Sequence, residues 1–164
     1  MENPSPIFTK QVRDMMLRLA RTLLYDQEEA MDTVQDVLEK LWRKQDIRRN
    51  IRNPSAFAMQ SVRNACIDRL RARKDTSATF PEIEQRPGAE SWSDAQLVRE
   101  AMKLLPEKQK TVLHLKDIEG FPTDEIAGML GTGENQVRVT LSRARKAMRE
   151  IILKELGTKE DIRR

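Results

Sequence analysis

The sequence predicts an all-α fold: two small helical domains joined by a flexible linker. Three observations lead there. Ala, Leu, Met, Arg, Lys, Glu and Gln dominate the 164 residues, while 6 Gly and 7 Pro are too few to punctuate a sheet protein. Apolar residues recur at helical spacing in almost every segment. The charge is uneven: 15 basic against 10 acidic residues over 1–74, 1 against 5 over 75–98, and 14 against 11 over 99–164. Two basic blocks around an acidic segment imply two modules, 1–74 and 94–164, with a linker at 75–93.

Residues 1–6 hold two prolines and are expected to be disordered. From about Ile7 to Tyr25, the residues Val12, Met15, Met16, Leu19, Leu23 and Leu24 line one face of an amphipathic helix. Asp26 can cap a second helix running to Lys44, with Ala30, Val34, Val37 or Leu38, and Leu41 as its seam. The outer face of that helix carries six acids before its first base, Lys40. A solvated face is the default for such a run. Six acids without an interleaved base repel one another, so a basic protein partner is the competing reading. Trp42 is expected to anchor the core. An Arg-rich loop follows, and Asn53-Pro54 breaks any helix before it. Ser55 is the expected cap of a helix from about Ala56 to Arg73. Its net charge over residues 63–74 is +4, which resembles an electrostatic footprint for nucleic acid; ordinary surface arginine is the alternative. Cys66 reads as a small buried packing residue.

The second module opens with a helix from Asp94 to Leu105, with Leu97, Ala101, Leu104 and Leu105 inward. Pro106 starts the next helix, which runs to about Ile118 with Val112, Leu115 and Ile118 on its apolar side. The lone His114 has no partner at ligand spacing and reads as structural. Thr123, the expected cap, begins TDEIAGMLGTGENQVRVTLSRARKAMRE (123–150), a helix-turn-helix. Ala127 is small where the helices cross, Gly131 supplies the positive φ that ends the first helix, and Val137 packs back into the angle. The second, basic helix is the one placed in a DNA major groove.

A single cysteine forbids an intrachain disulfide and suits a reducing compartment. The N-terminus MENPSPIF lacks a signal peptide's basic region and apolar core, and no apolar run nears the roughly 20 residues of a membrane span. The expectation is a cytoplasmic protein without membrane insertion. The chain holds no nucleotide-binding glycine loop, zinc-ligand cluster or catalytic triad, so neither catalytic residues, metal nor cofactor are expected.

Four motifs in order carry a resemblance over about residues 8–153. AMDTVQDVLEKLW (30–42) looks like region 2.2 of the extracytoplasmic-function (ECF) group of sigma-70 family factors, the specificity subunits of bacterial RNA polymerase. NPSAFAMQSVRNACIDRLRARK (53–74) looks like regions 2.3 and 2.4. LLPEKQKTVLHLKDIEGFPTDEIAGML (104–130) looks like regions 4.1 and early 4.2, and VRVTLSRARKAMRE (137–150) like the recognition helix. The resemblance implies a sigma factor that binds core RNA polymerase, through its β′ and β subunits, and directs promoter recognition and opening. It implies polymerase contacts at Asp32, Gln35, Asp36 and Glu39 on a β′ coiled coil. It implies −10 element contacts at Asn53, Arg63, Asn64 and Asp68, with Arg71 on phosphate, and a loop at 46–53 around a flipped-out base. It implies −35 contacts at Gln136, Arg138 and Arg143, with Arg145 and Lys146 as phosphate or packing residues. An anti-sigma factor is a further candidate partner. Thr140, Val139 and Gly133 depart from common residues of the family, and Phe57 replaces the usual Trp. The competing readings are a stand-alone regulator, which needs only one DNA-reading unit, and an enzyme with an incidental helix-turn-helix, for which no acid–base or metal constellation speaks.

Overall fold

The computed structural model describes residues 8–44, 52–75 and 93–155. The expected N-terminal disorder, the base-flipping loop up to Ile51 and nearly all of the linker lie outside the described residues. Within them run seven α-helices and no strand.

Helix α1 (Lys10–Leu24) starts where Thr9 Oγ1 accepts from the Val12 N–H at 3.2 Å. It buries Val12, Met16, Leu19, Ala20, Leu23 and Leu24, which is the expected stripe with Ala20 added and Met15 only half-buried. Tyr25 ends it at φ 58°, the one described non-glycine residue with positive φ. Helix α2 (Gln27–Arg43) follows after two residues, its first turn capped by Asp26 through the Glu29 N–H at 3.0 Å. A connection this short makes α1 and α2 packed antiparallel neighbours. Helix α3 (Pro54–Asp75) lies against both and seals the core with Ala58, Met59, Val62 and Cys66. Arg73 donates to the Leu24 carbonyl at 3.4 Å and pairs with Glu29, tying the end of α3 to the α1–α2 corner.

Helix α4 (Asp94–Met102) begins with a full capping box from Ser93 and Gln96. Helix α5 (Glu107–Leu113) runs on into a π-helical turn, His114–Ile118. Helices α6 (Thr123–Leu130) and α7 (Glu134–Glu155) form the helix-turn-helix. Gly131 leaves α6 at φ 64°, while Ala127 and Val137 are buried at the crossing, as the spacing predicts.

Five expectations are corrected. Asn53, not Ser55, caps α3: its Oδ1 accepts from the Ala56 N–H at 3.1 Å, and Pro54 takes the first helical position. Pro122, not Thr123, precedes α6, without a side-chain cap. Helix α4 ends at Met102, and Leu97 and Leu104 are only half-buried. Ile118 is exposed, because the wider π turn carries it off the face that Val112 and Leu115 bury. Trp42 is 58% exposed and packs edge-on against Phe8, with ring centroids 5.4 Å apart. It follows Leu41 by one residue, so helical phase turns it away from the seam.

Candidate polymerase and nucleic-acid interfaces

Three faces present the expected residues. On α2, Asp32, Gln35, Asp36 and Glu39 are all exposed. At about 100° per residue they share roughly 100° of the helix, opposite Ala30, Val34, Val37 and Leu41. Two of the six acids are drawn into contacts within the chain beyond the capping Asp26: Glu29 pairs with Arg73, and Asp36 accepts from Arg69 at 2.7 Å. The remainder of the face stays open to an outside cation.

On α3, Asn64, Asp68 and Arg71 are exposed and fall within about 60° of one another, opposite the buried seam. Asn64 and Asp68 line a cleft of about 410 Å3 between α2 and α3, together with Asp36, Lys40, Ser61 and Arg69. The polymerase-facing and −10 candidates therefore border one groove. Arg63 is set apart by helical phase, on a flank turned toward the C-terminal helices. It donates to Asn64 Oδ1 at 3.2 Å and meets Glu107 at 3.4 Å. Asn53 is half-buried, its side chain engaged in capping α3.

On α7, Val137, Leu141, Ala144 and Met148 face the core. Gln136, Val139, Arg143 and Lys146 occupy the opposite, exposed side. Arg138 and Arg145 fall on one flank, and each meets an acid. Arg138 reaches Glu134 at 3.2 Å and Asn135 at 3.0 Å, while Arg145 grips Asp117 through two bonds of 2.6 and 3.1 Å. These five candidates thus divide into an outward set and a paired set.

A polar cluster outside every motif singled out in the sequence lies where α1 meets the C-terminal helices. Glu119 accepts from Arg18 at 2.6 and 2.9 Å. His114 Nδ1 meets Thr22 Oγ1 at 2.9 Å, and its Nε2 stands 3.5 Å from Glu119. Burial would push the Glu119 carboxyl up, but the His114 ring and the Arg18 guanidinium outweigh it and hold it at about 2. Lys110 is buried with its ammonium 4.4 Å from the Tyr25 ring centroid, and burial pushes it down to about 8. A signal was present: Lys110 and His114 are four apart among Val112, Leu113 and Leu115, too apolar a setting for a solvent-facing pair.

Residues 8–76 match the family model for Sigma-70 region 2, and residues 95–148 match that for Sigma-70, region 4. The ECF RNA polymerase sigma factor SigM of Mycobacterium tuberculosis is 31% identical over 150 residues, 90% of this chain and 76% of that protein. The chain belongs to the ECF group of sigma-70 family factors. The RNA polymerase sigma-E factor of Streptomyces coelicolor is 28% identical over 146 residues, covering 87% of this sigma factor and 82% of its own length. Among solved structures, the sigma factor RpoE of Bartonella quintana, in complex with the anti-sigma factor NepR, aligns with a TM-score of 0.73 at 26% identity. That alignment spans 87% of this chain and 92% of RpoE, so it takes in both groups of helices. Among the described residues no helix is long and apolar enough to cross a membrane.

Proposed function

We propose that this sigma factor docks core polymerase through the α2 face and contacts a promoter at two points, adding specificity but no catalytic group. Its modules are residues 1–74 and 94–164, joined by the 75–93 linker, and it acts in the cytoplasm. Asp32, Gln35, Asp36 and Glu39 meet a basic surface of the polymerase. Asn64 and Asp68 read the −10 element as single strand, with Arg71 on phosphate and Arg63 and Asn53 at the edge of the same surface. Gln136, Arg143 and Lys146 meet the −35 element in the major groove, with Arg138 and Arg145 on the flank. An anti-sigma protein is the regulatory partner in this reading, supported by the Bartonella relative, which is in complex with one.

The observation that carries the reading is the groove that Asp36 of α2 shares with Asn64 and Asp68 of α3. It would seat melted DNA beside the docking surface, an arrangement a stand-alone regulator has no use for. The test is run-off transcription with core polymerase on a promoter library. Promoter-specific transcripts are expected, and failure to bind core polymerase would sink the proposal. Gln136→Ala should change which −35 sequence is preferred; uniform weakening across sequences would rule out base reading there.

A further inference from the structure

Single apolar residues on a protein surface need no explanation in general. Val139 differs in where it stands. It is 42% exposed in the second turn of α7. At 100° per residue, the buried Val137, Leu141, Ala144 and Met148 all lie roughly 140–180° round the helix from it. Val139 is therefore the apex of the outward face. Lys146, Arg143 and Gln136 are exposed about 20°, 40° and 60° away from it. A helix laid in a major groove turns this apex, and its N-terminal residues above all, toward the base edges.

The residue type does not serve the helix. Valine is a weaker helix former than Ala, Arg, Lys or Gln, and at an exposed site no packing offsets the difference. Its branched Cβ fixes χ1, so its two methyl groups point one way and lose little freedom on meeting a partner. They neither donate nor accept a hydrogen bond. Among the groups that base pairs display in the major groove, the 5-methyl of thymine is the apolar one. Gln136 precedes Val139 by one turn and Arg143 follows it by one turn, about 4.5 and 6 Å along the axis. That is the scale of one to two base-pair steps of about 3.4 Å. Gln bonds bidentately to adenine and Arg to guanine, so two polar readers bracket the apolar apex. Thr140 does not share the position: it is half-buried, about 100° away, and lines a cleft with Arg63 of α3.

We propose that Val139 is a specificity-determining residue, which selects one base pair of the upstream promoter element by packing its methyl groups against the 5-methyl group of a thymine. This deepens the −35 reading of α7 and rests on it. An adenine N6 or cytosine N4 donor set against the valine would go unpaired, so those bases are disfavoured at that place. Burying one methyl group is worth about three- to fourfold in affinity. The preference belongs to Val139 and not to Thr140, although both depart from common residues of the family.

The experiment uses the full chain bound to core polymerase and duplexes selected from a promoter library. Each thymine of the preferred upstream element is replaced in turn by deoxyuridine, which keeps the pairing and removes only the methyl group. Affinities are compared for the unaltered protein, Val139→Ser and Lys146→Ala. In the unaltered protein, one thymine position should bind about three- to fourfold more weakly as deoxyuridine. Lys146→Ala should weaken every duplex and keep that penalty. Val139→Ser should lose the penalty at unchanged helicity, and its own library selection should lose the thymine preference at that position. The proposal is overturned if no replacement weakens binding, or if the penalty survives in Val139→Ser. A holoenzyme that prefers no upstream element at all overturns the −35 reading itself, and the library selection distinguishes that failure from a valine that reads nothing.

Discussion

Helix α7 carries two neighbouring cations, Arg145 and Lys146, and the structure gives them different surroundings. Lys146 points away from the buried face of α7, whereas Arg145 lies on the flank and is held bidentately by Asp117. A phosphate contact contributes a slope of about 0.9 to the dependence of log affinity on log salt. Lys146→Ala should therefore flatten that slope by about 0.9. Between 50 and 200 mM salt, a fourfold change, one such contact is worth roughly 3.5-fold in affinity. Arg145→Ala should leave the slope nearly unchanged, because the guanidinium already neutralises Asp117 and releases little counterion. The sequence alone predicts a unit change for Arg145 if it touches phosphate; its partner in the fold argues for a packing role. Asp117→Asn frees the guanidinium and should steepen the slope by up to about 0.9. The assay is fluorescence anisotropy of a −35 duplex titrated with protein across that salt range. If Arg145→Ala flattens the slope as much as Lys146→Ala does, the ion pair does not survive DNA binding and the division fails.

Two further predictions concern stability. Burial holds Lys110 near 8 against an ordinary 10.5, so between those values the unfolded chain binds a proton the folded chain lacks, and this lysine's contribution to stability rises with pH, opposed above about 9 only where burial pushes the Cys66 thiol up to about 12. Lys110→Met should raise the melting temperature at pH 7 and remove the rise between pH 8 and 9, below the range of the Cys66 thiol; a persisting rise there would assign it to another group. Gly131 has open space around its missing Cβ but a φ of 64°. Gly131→Ala should lose about 1–2 kcal/mol by urea denaturation and Gly131→Asn less, since the strain is backbone and not crowding.

Much of the molecule is legible in the sequence because helical periodicity states which side of each helix is buried. The seams of α1 and α2, the crossing at Ala127, Gly131 and Val137, and the outward stripes of α2 and α3 all follow from phase. The same logic places Gln136, Arg143 and Lys146 on the outside of α7. Where local chemistry offers near-equal choices, phase decides nothing. Asn53 wins over Ser55 as a cap, and a π turn shifts Ile118 out of its stripe. Trp42 is exposed because its apolar partner is Phe8, ahead of α1, rather than the core.

The sequence by itself therefore determined the helices, their buried faces and the family to which four ordered motifs point. Only the tertiary structure decided which faces meet. His114, which looks solitary along the chain, finds Thr22 across 92 positions, and Glu119 finds Arg18 across 101. Arg145 finds Asp117 across 28, which turns a candidate phosphate contact into an internal ion pair. Periodicity reports that a side chain is covered. What covers it is set by how helices pack in three dimensions, and in this protein that packing separates the outward cations of α7 from the paired ones and brings Arg63 of α3 onto one cleft with Gln136 and Thr140 of α7.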